Sequence, residues 1–299
     1  MFMALFQKKT TLVHHITYMG IMTAINLIFI LLATYLTFLM FLLVLILPFI
    51  SAVVAYYCQK RYDIIYAVAS IGLCMIFNIQ DTLFYVIPAV ITGFVMGVLL
   101  DKKVYPFWML LSTSIIEAAL TFAFIPLINL IGNIDIVDTF ISAFRLSDFV
   151  YKTELTYLFI FFISLLQCGL THFILLSDAK KIGIEVNTRV DSFAPFIIGS
   201  SLSMILALVF AMTYTPLAFV FMAVSIYFVV FLLIDIITCK NKIAIIVLAS
   251  LLVLSFFGFA IFYPMVKAPN GLILVVLFSF SITIASFVNN YLLKGARNI

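Results

Sequence analysis

Apolar stretches of helical length repeat ten times along this chain, separated by short polar connections. They read as residues 16–34, 38–57, 64–77, 83–100 and 107–131, then 155–176, 193–212, 217–238, 243–263 and 272–293. Most are long enough to cross a hydrocarbon core of about 30 Å at about 1.5 Å per residue. The stretch 64–77 is short and must tilt inward or borrow length from its flanks. Residues 16–57 carry no charge and are too long for one span, so a break is expected at Tyr35-Leu36-Thr37. Residues 193–238 break at Thr213-Tyr214-Thr215-Pro216, where proline disfavours continuation of a helix. The predicted fold is all-α, a polytopic integral membrane protein of about ten transmembrane helices.

Composition agrees. Of 299 residues 66% are apolar and 9% charged, against about 45–50% and about 25% in a soluble globular chain. Mean hydropathy is +1.33, so lipid must be the solvent for most of this surface. The sixteen Lys and Arg residues collect in every second connection. One side receives Lys8, Lys9, Lys60, Arg61, Lys102, Lys103, Lys180, Lys181, Arg189, Lys240, Lys242, Lys294 and Arg297; the other receives Arg145, Lys152 and Lys267. The positive-inside rule makes the first side cytoplasmic and places both termini there. Merging either predicted hairpin into one span would scramble this alternation. The net charge of +4 is thus a product of topology and implies no nucleic-acid partner. Residues 1–15 lack a small-residue cleavage site, so the first apolar run is expected to remain as a span rather than be removed as a signal.

Two polar connections divide the chain. Residues 177–191 form the longest cytoplasmic loop and separate a six-span domain, 1–176, from four additional spans, 193–299, with 177–192 as the linker. The longest outer connection, 132–154, carries Ile136, Val137, Phe140, Ile141 and Phe144 at helical spacing. That spacing predicts a surface amphipathic helix, either resting in the headgroups or lying as a lid over an outward-facing cavity.

A charge inside the hydrocarbon costs about 2.5–3.5 kcal/mol at the helix centre, so each such residue is a functional candidate. Glu117 lies ten residues into its span, about 15 Å deep at helical rise. Asn26 and Gln167 fall at similar depth, which makes Asn26, Glu117 and Gln167 one layer near the midplane. Transporters place substrate sites in such a layer, while interhelical hydrogen bonding is the structural alternative. Asp235 lies near the cytoplasmic end of its span and reads as interfacial, and His172 reads as a packed or interfacial histidine. Thr37, Asn78, Asp81 and Asn129 lie toward the outer face, where they can line a vestibule. Gly93 and Gly97 form a GxxxG, and Gly20 with Ala24 a small-xxx-small pair; both permit close helix approach, for packing or for docking.

Enzyme classes find little support. HExxH is absent, as are paired carboxylate motifs and a nucleotide-binding loop. Ser112 and Ser114 lack a glycine-rich setting. Cys58, Cys74, Cys168 and Cys239 form no CxxC pair and read as packing residues, so neither metal nor cofactor is implied.

The segments Ala24-Ile25-Asn26-Leu27, Tyr35-Leu36-Thr37, Leu47-Pro48-Phe49 and Gln59-Lys60-Arg61 resemble the YybS-like family of bacterial multi-pass membrane proteins. Lys180-Lys181-Ile182-Gly183-Ile184-Glu185 and Ser286-Phe287-Val288-Asn289-Asn290-Tyr291 extend the likeness toward the C-terminus. The first six spans also resemble the substrate-binding S components of energy-coupling-factor vitamin transporters. That resemblance implies a vitamin-like ligand, a coupling subunit docked on small residues of the first helix (here Gly20 and Ala24) and an ATPase module. Two readings result: a substrate-binding transport subunit in a bacterial plasma membrane, or a non-transporting scaffold or regulatory membrane protein.

Overall fold

The computed structural model describes residues 8–133, 135–143, 150–184, 193–238, 241–262 and 274–293. Within them every regular element is helical. In chain order these are α1 (Leu12–Tyr35), α2 (Thr37–Tyr57), α3 (Lys60–Phe77), α4 (Ile79–Asp101), α5 (Pro106–Gly132), α6 (Ile136–Ala143) and α7 (Lys152–Ile182). There follow α8 (Ala194–Ala211), α9 (Thr215–Thr238), α10 (Lys242–Phe262) and α11 (Val276–Phe287), which runs on into a π-helical turn, Val288–Leu293. Among the described residues seven helices (α1, α4, α5, α7, α8, α9 and α10) are long and apolar enough to cross a membrane.

Local sequence explains the boundaries. The first break falls at Leu36, between α1 and α2, and the second between Ala211 and Thr215, with Pro216 in the first turn of α9 where its missing N–H is tolerated. Lys60 opens α3, so the short apolar stretch is indeed lengthened from its flank. Asn133 ends α5 in the left-handed conformation, φ 48°, which asparagine accepts at a helix terminus. The loop expected from residue 177 starts later, because α7 continues to Ile182. Its 31 residues span about 46 Å at helical rise, well beyond the hydrocarbon thickness. Residues 185–192, the rest of that loop, lie outside the described residues.

The chain divides into two compact units. One comprises residues 1–136 and 160–189, the other 137–159 and 190–299. In the first, α2 packs along α4, α1 lies against α2 and α3, and α5 packs on α4. In the second, α8 pairs with α9, and α11 packs against α8, α9 and α10.

The α2–α4 crossing is close because α4 has no side chain there. A Cβ on Gly93 would strike the Pro48 carbonyl and Ser51 Cβ, and one on Gly97 would strike the Ala52 carbonyl and Ala55 Cβ. Gly20 on α1 differs, since a Cβ there would meet nothing within 4 Å.

At the basic end of this unit, Lys8 Nζ donates to the Tyr56 carbonyl and to Asp101 Oδ1, each at 2.6 Å, and lies over the Tyr56 ring. Lys9 lies over Tyr18, and its backbone N–H donates to the Tyr57 carbonyl. Burial lowers the Lys9 pKa and pushes the Cys58 thiol up to about 12, helped by the neighbouring Asp63 carboxylate. Asp63 itself, one residue before the apolar run of α3, is raised to about 6 by burial, against the opposing charge of Lys60.

Candidate functional site

Glu117 sits halfway along α5 with 3% of its surface exposed. The same face of α5 buries Thr113, Ser114 and Thr121, so a helix that is apolar on most sides carries a polar seam along its inward stripe. Thr113 donates to the carbonyls of Met109 and Leu110, and Thr121 to that of Glu117, which satisfies these hydroxyls within the helix itself. The facing stripe of α7 buries Ser164, Gln167, Cys168, Thr171 and His172.

The two stripes meet at one contact. Cys168 Sγ donates to Glu117 Oε2 at 3.0 Å, with both residues buried, and the hydroxyls of Thr113 and Ser114 stand beside the thiol. A thiol is a weak donor, so this carboxyl keeps most of its hydrogen-bonding capacity. Two further groups in the seam are unfilled. Ser114 Oγ, one turn from Glu117, and His172 Nδ1, one turn from Cys168, are buried without hydrogen-bond partners among the described residues. Reading Cys168 as a packing residue therefore missed the group that holds Glu117. Only a pairing of α5 with α7 reveals it, and the two positions are 51 residues apart in sequence.

The other residues of the predicted midplane layer are buried too, Asn26 at 0% and Gln167 at 4% exposure. The bond to Glu117 comes from neither. Asn26 lies on α1 with both side-chain atoms unpartnered among the described residues.

Toward the opposite end of the unit, Asn78 caps α4. Its Oδ1 accepts from the Asp81 N–H at 3.1 Å, and its Nδ2 donates to Asp81 Oδ2 at 2.7 Å. Asn129 Oδ1 accepts from the Ile136 N–H at the start of α6. These predicted vestibule residues thus hold helix ends in place. Thr37 begins α2, and its side chain lies outside the described residues.

The second unit contains a polar cluster that the sequence did not single out. Asp235 Oδ2 on α9 accepts from Asn290 Nδ2 at 2.9 Å and from Asn289 Nδ2 at 3.3 Å, both on the π-helical turn. Asn290 also reaches the Ser286 carbonyl and hydroxyl, and Asn241 donates to Asn289 Oδ1. Asp235, near the end of α9, is 7% exposed and held by two amides. Among the described residues no three His, Cys, Asp or Glu side chains come close enough to hold a metal ion.

Residues 24–148 match a family model described as "Predicted membrane protein (DUF2232)". The match includes Asn26 and Glu117 and stops before Cys168, and it covers less than half of the chain. It is consistent with the YybS-like resemblance, and it states a membrane location without naming an activity. No curated protein and no solved structure matches the chain. The chain is therefore a multi-helix protein with the composition, helix lengths and family likeness of a membrane protein.

Proposed function

We propose that this protein is the substrate-binding membrane subunit for a vitamin-like small molecule in a bacterial plasma membrane. In this proposal ten spans place both termini in the cytoplasm, and a coupling subunit with an ATPase module supplies the energy. The resemblance to S components supports the class of partner, and the α5–α7 seam supports the binding role. A purely structural network satisfies its members, because a buried polar group without a partner costs about 1–3 kcal/mol. Here Ser114 and His172 stay unfilled on either side of the Glu117–Cys168 pair. A bound solute completes those bonds, with Glu117 as its anchor and Ser114 and His172 as orienting groups.

The scaffold reading has its own support in the saturated Asp235 cluster, which ties α9 to α11 and leaves no invitation to a ligand. One substitution separates the two. Glu117→Gln keeps the size of the side chain and the bond from Cys168, while removing the anchor. The binding role requires that a small molecule co-purifying with the wild type, seen by native mass spectrometry, be lost in this variant at nearly unchanged melting temperature. A wild type carrying only lipid, or a collapse of stability in Glu117→Gln, transfers the assignment to the scaffold. Cysteine labelling tests the topology: a cysteine placed at Asp138 should react with an impermeant reagent from outside, and one at Lys102 should not.

A further inference from the structure

Buried polar groups without partners gather on the inward stripes of α1 and α3. On α1 the stripe carries His15, Tyr18 and Asn26, and on α3 it carries Asp63, Tyr66 and Ser70, all buried. Both ring nitrogens of His15, the Tyr18 hydroxyl, both amide atoms of Asn26 and Asp63 Oδ1 have no hydrogen-bond partner among the described residues. The groups between them form a continuous line. The Cys58 thiol lies within electrostatic reach of Asp63, Lys9 and Tyr18. Tyr18 is close in turn to Tyr57 and Tyr66. The Tyr66 hydroxyl stands beside those of Ser51 and Ser70, and Ser70 Oγ donates to Thr23 Oγ1 at 3.4 Å. Asn26 follows one turn beyond Thr23. From His15 to Asn26 the line covers about 16 Å at helical rise, from the basic end of the unit to the middle of α1.

We propose that α1, α2 and α3 enclose a file of bound water that leads from Asp63 and His15 at the basic end inward to Asn26. The side chains select water as the occupant. Between Tyr18 and Asn26 the line is built of hydroxyls and one amide, groups that both donate and accept, as water does. That stretch holds no charged group, so an ion finds no counter-charge there. A buried water takes about three hydrogen bonds from polar groups that are otherwise unsatisfied, and the line supplies such groups at nearly every turn. On the far side α4 backs Ser51 so closely that a Cβ on Gly93 would strike Ser51 Cβ, so α2 cannot move outward to admit a wider solute. Beyond Asn26 the stripe of α1 continues as buried Ile30, and the file ends blind. It therefore hydrates the bundle from one end only. The path is separate from the Glu117 seam and stands whether or not that seam binds a substrate.

The test is radiolytic footprinting of the full chain in detergent, in which hydroxyl radicals formed from bound water oxidise the side chains beside it. Tyr18 and Met22, which lie along the line, should be oxidised many-fold faster than Tyr227 and Met109, which are the same residue types and also buried. Asn26→Leu removes the inner end of the file at similar side-chain size. Met22, one turn away, should then lose most of its oxidation while Tyr18 keeps its own, and the melting temperature should not rise. A dry core predicts the opposite. Tyr18 and Met22 as unreactive as the controls, or oxidation of Tyr18 alone in the wild type, would overturn the proposal. So would undiminished oxidation of Met22 in Asn26→Leu, or a melting temperature several degrees higher in that variant, since removing a truly unpaired amide stabilises the fold. The wild-type comparison decides the matter even if the variant does not fold.

Discussion

Two parts of the first unit are built from the same small-residue signature with opposite results. Where α4 crosses α2, Gly93 and Gly97 let backbone meet backbone, and no room remains for even a methyl group. Along α1, Gly20 and Ala24 face an open groove beside α3. Dispersion drives helix association in lipid, because tails are as apolar as leucine. The first region therefore holds the unit together, and the second preserves space at the expense of contacts.

The largest effect should come from forcing the closed region open. Gly93→Leu drives a side chain into the Pro48 carbonyl and should cost more than about 3 kcal/mol, seen as loss of monodisperse protein on extraction. Gly97→Ala adds one methyl against Ala52 and Ala55 and should cost about 2 kcal/mol in thermal unfolding; an unchanged melting temperature would show that the crossing yields. Asp63→Asn tests the basic end of the open side. Burial holds the folded pKa of Asp63 near 6, above its unfolded value of about 3.9, so the unfolded chain releases its proton first. Stability should therefore fall as pH rises from about 4 to about 6, by no more than about 2 kcal/mol after solvent screening. Asp63→Asn should flatten that slope, and an identical pH profile in the variant would remove Asp63 from the account. The smallest effect belongs to Gly20→Ala, which gains about 0.5–1 kcal/mol from helix propensity because nothing obstructs the methyl. A clear loss would mean that the groove is filled in the membrane.

The comparison also marks how far the sequence could be read. Breaks at Leu36 and before Pro216, and the amphipathic segment that became α6, were legible because proline, charge and periodicity act locally. The place of Glu117 midway along α5 was legible for the same reason, as distance along one helix. Its partner was not, because GxxxG pairs and buried polar residues announce that a contact is available without saying with which helix. Asp235 illustrates the same gap: its amides lie 54 and 55 residues away, on a π-helical turn that no residue pattern advertises. Gly20 and Gly93 look equivalent in sequence and differ only in whether a neighbouring backbone arrives.

The anchor formed by Lys8 has a consequence for biosynthesis. Its ion pair with Asp101 joins residues 93 positions apart, so it cannot close until α4 has left the ribosome. At about 5–20 residues per second, the N-terminal segment waits roughly 5–20 s after its own emergence before that bond is available. During that interval α1, α2 and α3 emerge with the Lys8–Asp101 ion pair still open, and the ion pair then acts as a latch set last. Its closure marks the moment at which the first four helices exist together.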